Sequence, residues 1–380
     1  MESKLTMISE HRIHFGDSRK MKDVDSQSIH LVVTSPPYPM IEMWDELFCR
    51  QASIRKALKR QNGIQAFELM HLQLDRVWDE LHRVLAPGGI ACINIGDATR
   101  TLKDEFALYP NHSRILSHML GLGFSNLPNI LWRKQTNAPN KYMGSGMMPP
   151  GAYVTLEHEY ILIFRKGDKR GFNTQEKKVN RRRSAFFWEE RNQWFSDVWM
   201  DLKGARQNTG DKELRARSGA FPFELAYRLI SMFSVMGDTV LDPFLGTGTT
   251  LFAAAAAGRN GIGYELDKAF QPMIGRGSRQ AVEQGRRRIE ERLEGHQTFL
   301  HERKTAGKSV KYINRVYGFP VVTRQEIELM MPLPVEMRET ADNRFEVTYQ
   351  IPETPPPGDK PAPGPDVNQA RRIKQLALFD

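Results

Sequence analysis

The apolar residues of this chain fall into two periods. Ile29-His-Leu-Val-Val33 is a short, β-branched apolar run closed by Pro36-Pro37, and it predicts a buried strand. From about Gln65 to Leu85 the residues Leu69, Leu72, Val77, Leu81 and Leu85 recur at roughly helical spacing, predicting a long helix with that stripe toward the core. Pro87-Gly88-Gly89 ends the helix, and Ile90 to Ile95 reads as a second buried strand. Helix, tight turn and buried strand in succession predict a parallel α/β sheet. Two more strands are expected at Asn126–Arg133 and Glu159–Phe164. The stretch Asn137–Gly151 between them is too rich in Gly and Pro for regular structure.

At Phe221 the pattern resumes. It predicts an apolar helix to Phe233, a strand at Thr239–Asp242, a Gly/Thr turn, a helix containing Ala253 to Ala257, and a strand at Gly261–Glu265. Between the two stretches, Arg165 to Arg217 is basic with interleaved aromatics. Residues 301–350 show no readable period, Pro352 to Pro365 predicts an extended linker, and the residues from Gln369 turn basic and then apolar. The expected fold is α/β: one doubly wound, mostly parallel sheet built from residues 1–164 and 218–300. Residues 165–217 form an insertion, 301–350 an extension, and 351–380 a linker with a terminal peptide.

With 40% hydrophobic and 26% charged residues the composition is that of an ordinary soluble globular protein. The net charge of +9 favours polyanionic partners, nucleic acid before an anionic membrane. Two cysteines, Cys49 and Cys92, exclude a disulfide scaffold and a Cys-rich zinc site and fit a reducing cytosol, so a cytoplasmic location is expected. The polar N-terminus has no signal core, and no stretch approaches the ~20 apolar residues of a membrane span. The histidines show no ligand spacing, and no metal is expected.

Two constellations carry chemistry. The first is Asp242-Pro-Phe244-Leu-Gly246-Thr247-Gly248-Thr249-Thr250, between a predicted strand and a predicted helix. Glycines there let the backbone approach a ligand, and free N–H groups at the helix start favour an anion. A dinucleotide site would want a third glycine where this chain has Leu251, so a smaller anion, such as the carboxylate of a methionine moiety, suits the loop better. Glu265, seventeen residues after Gly248 at the end of the next strand, is placed to accept hydrogen bonds from a ribose diol. The second is Thr34-Ser35-Pro36-Pro37-Tyr38, directly after the first strand. Two prolines stiffen the turn and hold the Ser35 side chain and the Pro36 carbonyl as acceptors, with the Tyr38 ring beside them. Two acceptors and a stacking ring match an extruded base whose exocyclic amine is held for attack. A merely rigid strand-ending turn is the plainer alternative.

Ser-Pro-Pro-Tyr together with Asp-Pro-Phe-x-Gly-x-Gly-Thr-Thr resembles the amino-DNA methyltransferases of restriction–modification systems. The order, with the tetrapeptide about 200 residues before the glycine loop, resembles their permuted β group. The resemblance runs from Ile13 to Gly277. It includes Gly16-Asp17, the Leu85–Gly89 turn, Trp132-Arg-Lys134 and the helix from Phe221 to Ile230. It implies a Rossmann-like fold, S-adenosyl-L-methionine as methyl donor and duplex DNA as substrate. Ser35, Pro36 and Pro37 would hold the target amine and Tyr38 would stack on the base. Asp242, Phe244, Gly246, Thr247, Gly248 and Thr249 would surround the methionine end of the cofactor, with Glu265 at the ribose and Asp17 near the adenine. Residues 1–164 then form the catalytic half and 218–300 the cofactor half. Serine at the first tetrapeptide position goes with cytosine N4 in that family, and Asp or Asn with adenine N6.

Methylation at cytosine C5 needs a cysteine nucleophile. Neither cysteine suits: Cys49 lies in a polar helical stretch and Cys92 inside an apolar strand. In the basic insertion, the place of target recognition in the family, Arg181, Arg182 and Arg183 are expected to meet phosphates. Most of its aromatics, among them Phe187, Trp194 and Trp199, are expected to form a small core. The terminal Gln375-Leu376-Ala377-Leu378-Phe379 resembles the peptide by which bacterial replication and repair proteins dock on the sliding clamp; a tail packed on its own domain is the alternative. Three rivals stand beside cytosine N4 methylation: adenine N6 methylation, a non-catalytic DNA-binding protein on the same fold, and an RNA or small-molecule methyltransferase.

Overall fold

The structure is a computed structural model that describes residues 6–134, 143–204 and 221–352. Its main sheet has ten strands: β1 (Thr6–Phe15), β2 (Ile29–Thr34), β3 (Leu85–Ile95), β4 (Phe124–Arg133), β5 (His158–Lys166), β6 (Val198–Trp199), β7 (Thr239–Asp242), β8 (Asn260–Glu265), β9 (Leu333–Ala341) and β10 (Arg344–Gln350). The spatial order is β6-β4-β5-β3-β2-β7-β8-β1-β10-β9. The central strands β3, β2, β7, β8 and β1 are parallel. On one side β5 runs antiparallel between β3 and β4, and on the other β10 runs antiparallel between β1 and β9.

Strands buried on both faces read as continuous apolar runs, and β2 and β3 do so because helices cover each face. Leu31, Val33, Ile90 and Cys92 pack under α5 (Phe223–Phe233) and α6 (Thr249–Ala256). Val32, Ala91 and Ile93 pack under α1 (Gly63–Val84) and α2 (Asn111–Gly121). The sheet is therefore doubly wound, as the rhythm of the sequence implies.

The helix α1 starts where the Asn62 side chain accepts a hydrogen bond from the Gln65 N–H at 3.1 Å. Its core stripe is Met70, Leu74, Val77, Trp78 and Leu81, whereas Leu72 of the expected stripe is 50% exposed. The helix runs straight into β3 at Leu85, and Pro87-Gly88-Gly89 is an irregularity inside that strand rather than a separate turn. Gly88 is required there: its φ is +79°, and a β-carbon would lie 2.6 Å from the Arg170 backbone nitrogen.

Residues 301–350 are not an appendage. The helix α7 (Gln271–Thr305) leads to a segment that returns as the β9–β10 hairpin, and β10 pairs with β1 from Thr6↔Gln350 to Arg12↔Arg344. In the insertion, α3 (Gln175–Arg183) and α4 (Trp188–Trp194) carry the basic and aromatic residues. Phe187, Trp194 and Trp199 are buried, the core role expected of them. The terminal residues Gln375, Leu376, Leu378 and Phe379 lie outside the described residues.

Candidate active site

Parallel neighbours deliver their carboxyl ends to one edge, and the loops that follow them converge there. Here those loops are Gly16–Arg19 after β1, Ser35–Tyr38 after β2, Pro243–Gly248 after β7 and Leu266–Asp267 after β8. They surround a cavity of about 700 Å³, a size that accommodates a nucleoside-sized cofactor and more. Asp17, Ser35, Pro36, Pro37, Tyr38, Asp242, Phe244, Gly246, Thr249 and Glu265 all line it. Thr247 and Gly248 stand just behind, in the turn that enters α6.

That turn is shaped by its glycines. Gly246 has φ +54° with open space where a β-carbon would stand, and Gly248 has φ +92° with the Phe252 ring 2.9 Å from that position. Asp242 anchors the loop from below. It is 3% exposed; Oδ1 accepts from Thr34 Oγ1 at 2.6 Å and the Phe244 N–H at 3.0 Å, and Oδ2 accepts from Thr250 Oγ1 at 2.7 Å. Burial raises its carboxyl to about 6 despite those donors. Although it borders the cavity, its oxygens are occupied by the chain itself, so it ties the end of β2 to the start of the loop. Glu265 accepts from the Gly246 N–H and the Asp267 N–H, both at 2.8 Å, and burial holds its carboxyl above the ordinary range. Asp17 is gripped by Arg19, with Nη2 to Oδ2 at 2.6 Å, and this hydrogen bonding lowers its pKa.

On the catalytic side, the Ser35 hydroxyl donates to the Tyr38 oxygen at 3.1 Å, and the Tyr38 hydroxyl donates to Glu159 Oε2 at 2.9 Å. Asn94 Nδ2 donates to both the Tyr38 oxygen, at 2.9 Å, and Glu159 Oε2, at 2.7 Å. Lys134 Nζ donates to Glu159 Oε1 at 2.9 Å. Burial, with the Glu159 charge adding to it, keeps the Tyr38 phenol protonated far above its usual pKa. None of Glu159, Asn94 and Lys134 is expected as a site residue from the sequence. The available signal was polar residues at strand termini: Glu159 opens the strand expected at Glu159–Phe164, and Asn94 interrupts the apolar run Ile90–Ile95.

Arg181, Arg182 and Arg183 are not brought to this edge. They end α3, where Asn180 Nδ2 donates to the Met236 carbonyl, just before the amino end of β7. Arg182 pairs with Glu328 at 2.8 Å and Arg181 lies over the Phe172 ring. The cationic residues that do line the cavity are Arg19, Arg50, Arg76 and Lys134. Cys92 is fully buried and its thiol pKa is pushed up by that burial, as its place inside an apolar strand implies. Among the described residues no cluster of His, Cys, Asp and Glu could hold a metal ion, and no helix is long and apolar enough to cross a membrane.

An open glycine cradle, a buried acceptor at Glu265 and a cavity of this size fit S-adenosyl-L-methionine, and the architecture is that of the methyltransferases that use it. The N6_N4_Mtase family model, described as DNA methylase, matches residues 29–275. The chain is 51% identical over 346 residues to the type II methyltransferase M.MthZI of Methanothermobacter thermautotrophicus, covering 90% of this chain and 96% of the relative. It is also 51% identical over 282 residues to M.MjaI of Methanocaldococcus jannaschii, covering 71% and 91%. The structure of a DNA modification methylase from Thermus thermophilus, TTHA0409, complexed with S-adenosyl-L-methionine, superposes with a TM-score of 0.56 at 35% identity, covering 71% of this chain and 94% of that one. The chain belongs to the N6/N4 family of DNA methylases and is an S-adenosyl-L-methionine-dependent DNA methyltransferase.

Proposed function

We propose that this enzyme methylates N4 of cytosine in duplex DNA after flipping the base into the cavity. We further propose that it belongs to the permuted β group and acts as the methylase of a restriction–modification system. The observation that carries the cytosine reading is Ser35 at the head of the tetrapeptide. Its hydroxyl proton is directed at Tyr38, which leaves the oxygen lone pairs to accept from an amine. The Pro36 carbonyl is the second acceptor, and Tyr38 is the ring beside the base. The cofactor supplies an electrophilic methyl group. The chain supplies position: Glu265 and Asp17 hold the nucleoside end, the Gly246–Thr249 turn receives the methionine end, and alignment of the amine does most of the remaining work.

The type II names of M.MthZI and M.MjaI support the restriction–modification role. The permuted assignment rests on chain order, since the tetrapeptide follows β2 and the cofactor loop follows the later β7. DNA would approach over the carboxyl edge, where Arg50, Arg76 and Lys134 offer positive charge. Gln375, Leu376, Leu378 and Phe379 are proposed as a clamp-binding peptide, to be tested by pull-down of the full chain against one ending at Lys374.

The deciding experiment is nucleoside mass spectrometry on unmethylated DNA incubated with the protein and S-adenosyl-L-methionine, beside a Ser35→Ala control. N4-methylcytosine that vanishes in the control is the expected result. N6-methyladenine would overturn the cytosine reading while leaving the family intact.

A further inference from the structure

We propose that Ser35, Tyr38 and Glu159 form a proton relay that drains the surplus proton from the methylated amine, with Glu159 as the terminal acceptor. The inference rests on the family's amine chemistry and holds for either base. An exocyclic amine that has just bonded a methyl carbon carries a positive charge and must lose one proton. The other carboxylates at the core of the site are already committed. Asp17 is bound by Arg19, Asp242 takes three donors beneath the loop, and Glu265 accepts two backbone N–H groups on the cofactor side. Glu159 differs in being joined to the amine-holding serine through a single phenol, by links of 3.1 and 2.9 Å.

The hydrogen bonds all point one way, from Ser35 to Tyr38 to Glu159. Asn94 can only donate to this chain through its Nδ2, so it steadies the Tyr38 oxygen and the Glu159 carboxylate without intercepting the proton. The ring is fixed from behind, since a β-carbon at Gly96 would lie 3.0 Å from it. In the step itself, the nitrogen lone pair forms the N–C bond while the S–C pair returns to sulfur. The nitrogen then gives one proton to Ser35 Oγ, the Ser35 proton passes to the Tyr38 oxygen, and the Tyr38 proton passes to Glu159 Oε2. The hydroxyl and the phenol are restored. The methylated amine leaves neutral, and Lys134 faces a protonated Glu159 until the proton escapes to water.

The test uses the full chain and the variants Tyr38→Phe and Glu159→Gln. Single-turnover methyl transfer is expected to fall about 10²-fold in both, the usual share of general acid–base assistance. Cofactor affinity by calorimetry, and base extrusion reported by 2-aminopurine beside the mapped target, should stay within about twofold of the parent. Glu159→Ala should regain rate on adding formate, while Glu159→Gln, which fills the space, should not. Parent-like single-turnover rates in either variant would overturn the relay. So would a rate loss explained entirely by weaker cofactor binding or lost extrusion, because Glu159 would then only shape the pocket. A product methylated at carbon would remove the amine reading and the relay together.

Discussion

The two glycines of the cofactor turn predict different failures, and the structure gives the size of each. Gly248→Ala places a methyl group on a backbone with φ +92° and 2.9 Å from the buried Phe252 ring. The left-handed backbone costs about 1–2 kcal/mol and the overpacking about 1–3 kcal/mol more, so this variant should lose about 2–5 kcal/mol of stability. Gly246→Ala meets only the backbone term, because at φ +54° nothing lies within 4 Å of its β-carbon. Its methyl group enters the cavity instead and disturbs the N–H that holds Glu265. Cofactor affinity should therefore weaken by at least about tenfold, equivalent to ~1.4 kcal/mol, with a much smaller stability loss. Urea unfolding measures the first quantity and calorimetric titration with S-adenosyl-L-methionine the second. Gly248→Ala unfolding at the parent's midpoint would refute the packing argument, and Gly246→Ala binding cofactor as the parent does would refute the placement of the cofactor.

Glu265→Gln should weaken cofactor binding by about 10–100-fold, the range of a hydrogen bond to a charged acceptor. Because burial raises the Glu265 pKa, the parent's affinity should fall on the acid side at a higher pH than an ordinary glutamate would give, a fall that calorimetry should not find in the variant. Asp242, raised from 3.8 to about 6, binds its proton more tightly in the native than in the unfolded state. Stability should therefore be greater below the unfolded pKa and decline as pH rises through about 6, by on the order of 3 kcal/mol, with Asp242→Asn flattening that part of the urea-midpoint profile. Replacing Arg181, Arg182 and Arg183 together by Ala should leave affinity for a short duplex within about twofold, since they sit at the opposite edge of the sheet; a loss of several tenfold steps with a reduced salt slope would put them on the DNA.

How much was legible depended on how local the cause was. β2, β7 and β8 are short apolar runs closed by turn residues, and their positions follow from composition alone. The α1 helix was found but its buried stripe was misjudged, because Leu72 fits the spacing of Leu69 as well as Met70 does. Only packing against α2 and the sheet selects the face through Leu74 and Trp78. The β10 strand was missed although Arg344-Phe-Glu-Val-Thr-Tyr-Gln350 alternates cleanly, with Phe345, Val347 and Tyr349 inward. Its partner, β1, lies more than 300 residues away in sequence, and no local signal announces that pairing.

The site divides along the same line. A motif that fixes its own backbone, such as two prolines or a pair of glycines, can be read from the residues, and the cavity is lined by those motifs. A residue recruited by topology cannot. Glu159 reaches the cavity because β5 is antiparallel to β3 and therefore begins at the edge where its parallel neighbours end, beside Gly96 and Tyr38. Had β5 run parallel, its first residue would stand at the amino edge, near Met236, and the Ser35–Tyr38 pair would have no carboxylate behind it. The reversal of that one strand turns a pair of hydrogen-bond acceptors into a connected path for a proton. It also accounts for the misplacement of the arginines: α3 follows the far end of β5, so whatever it carries is delivered to the opposite edge.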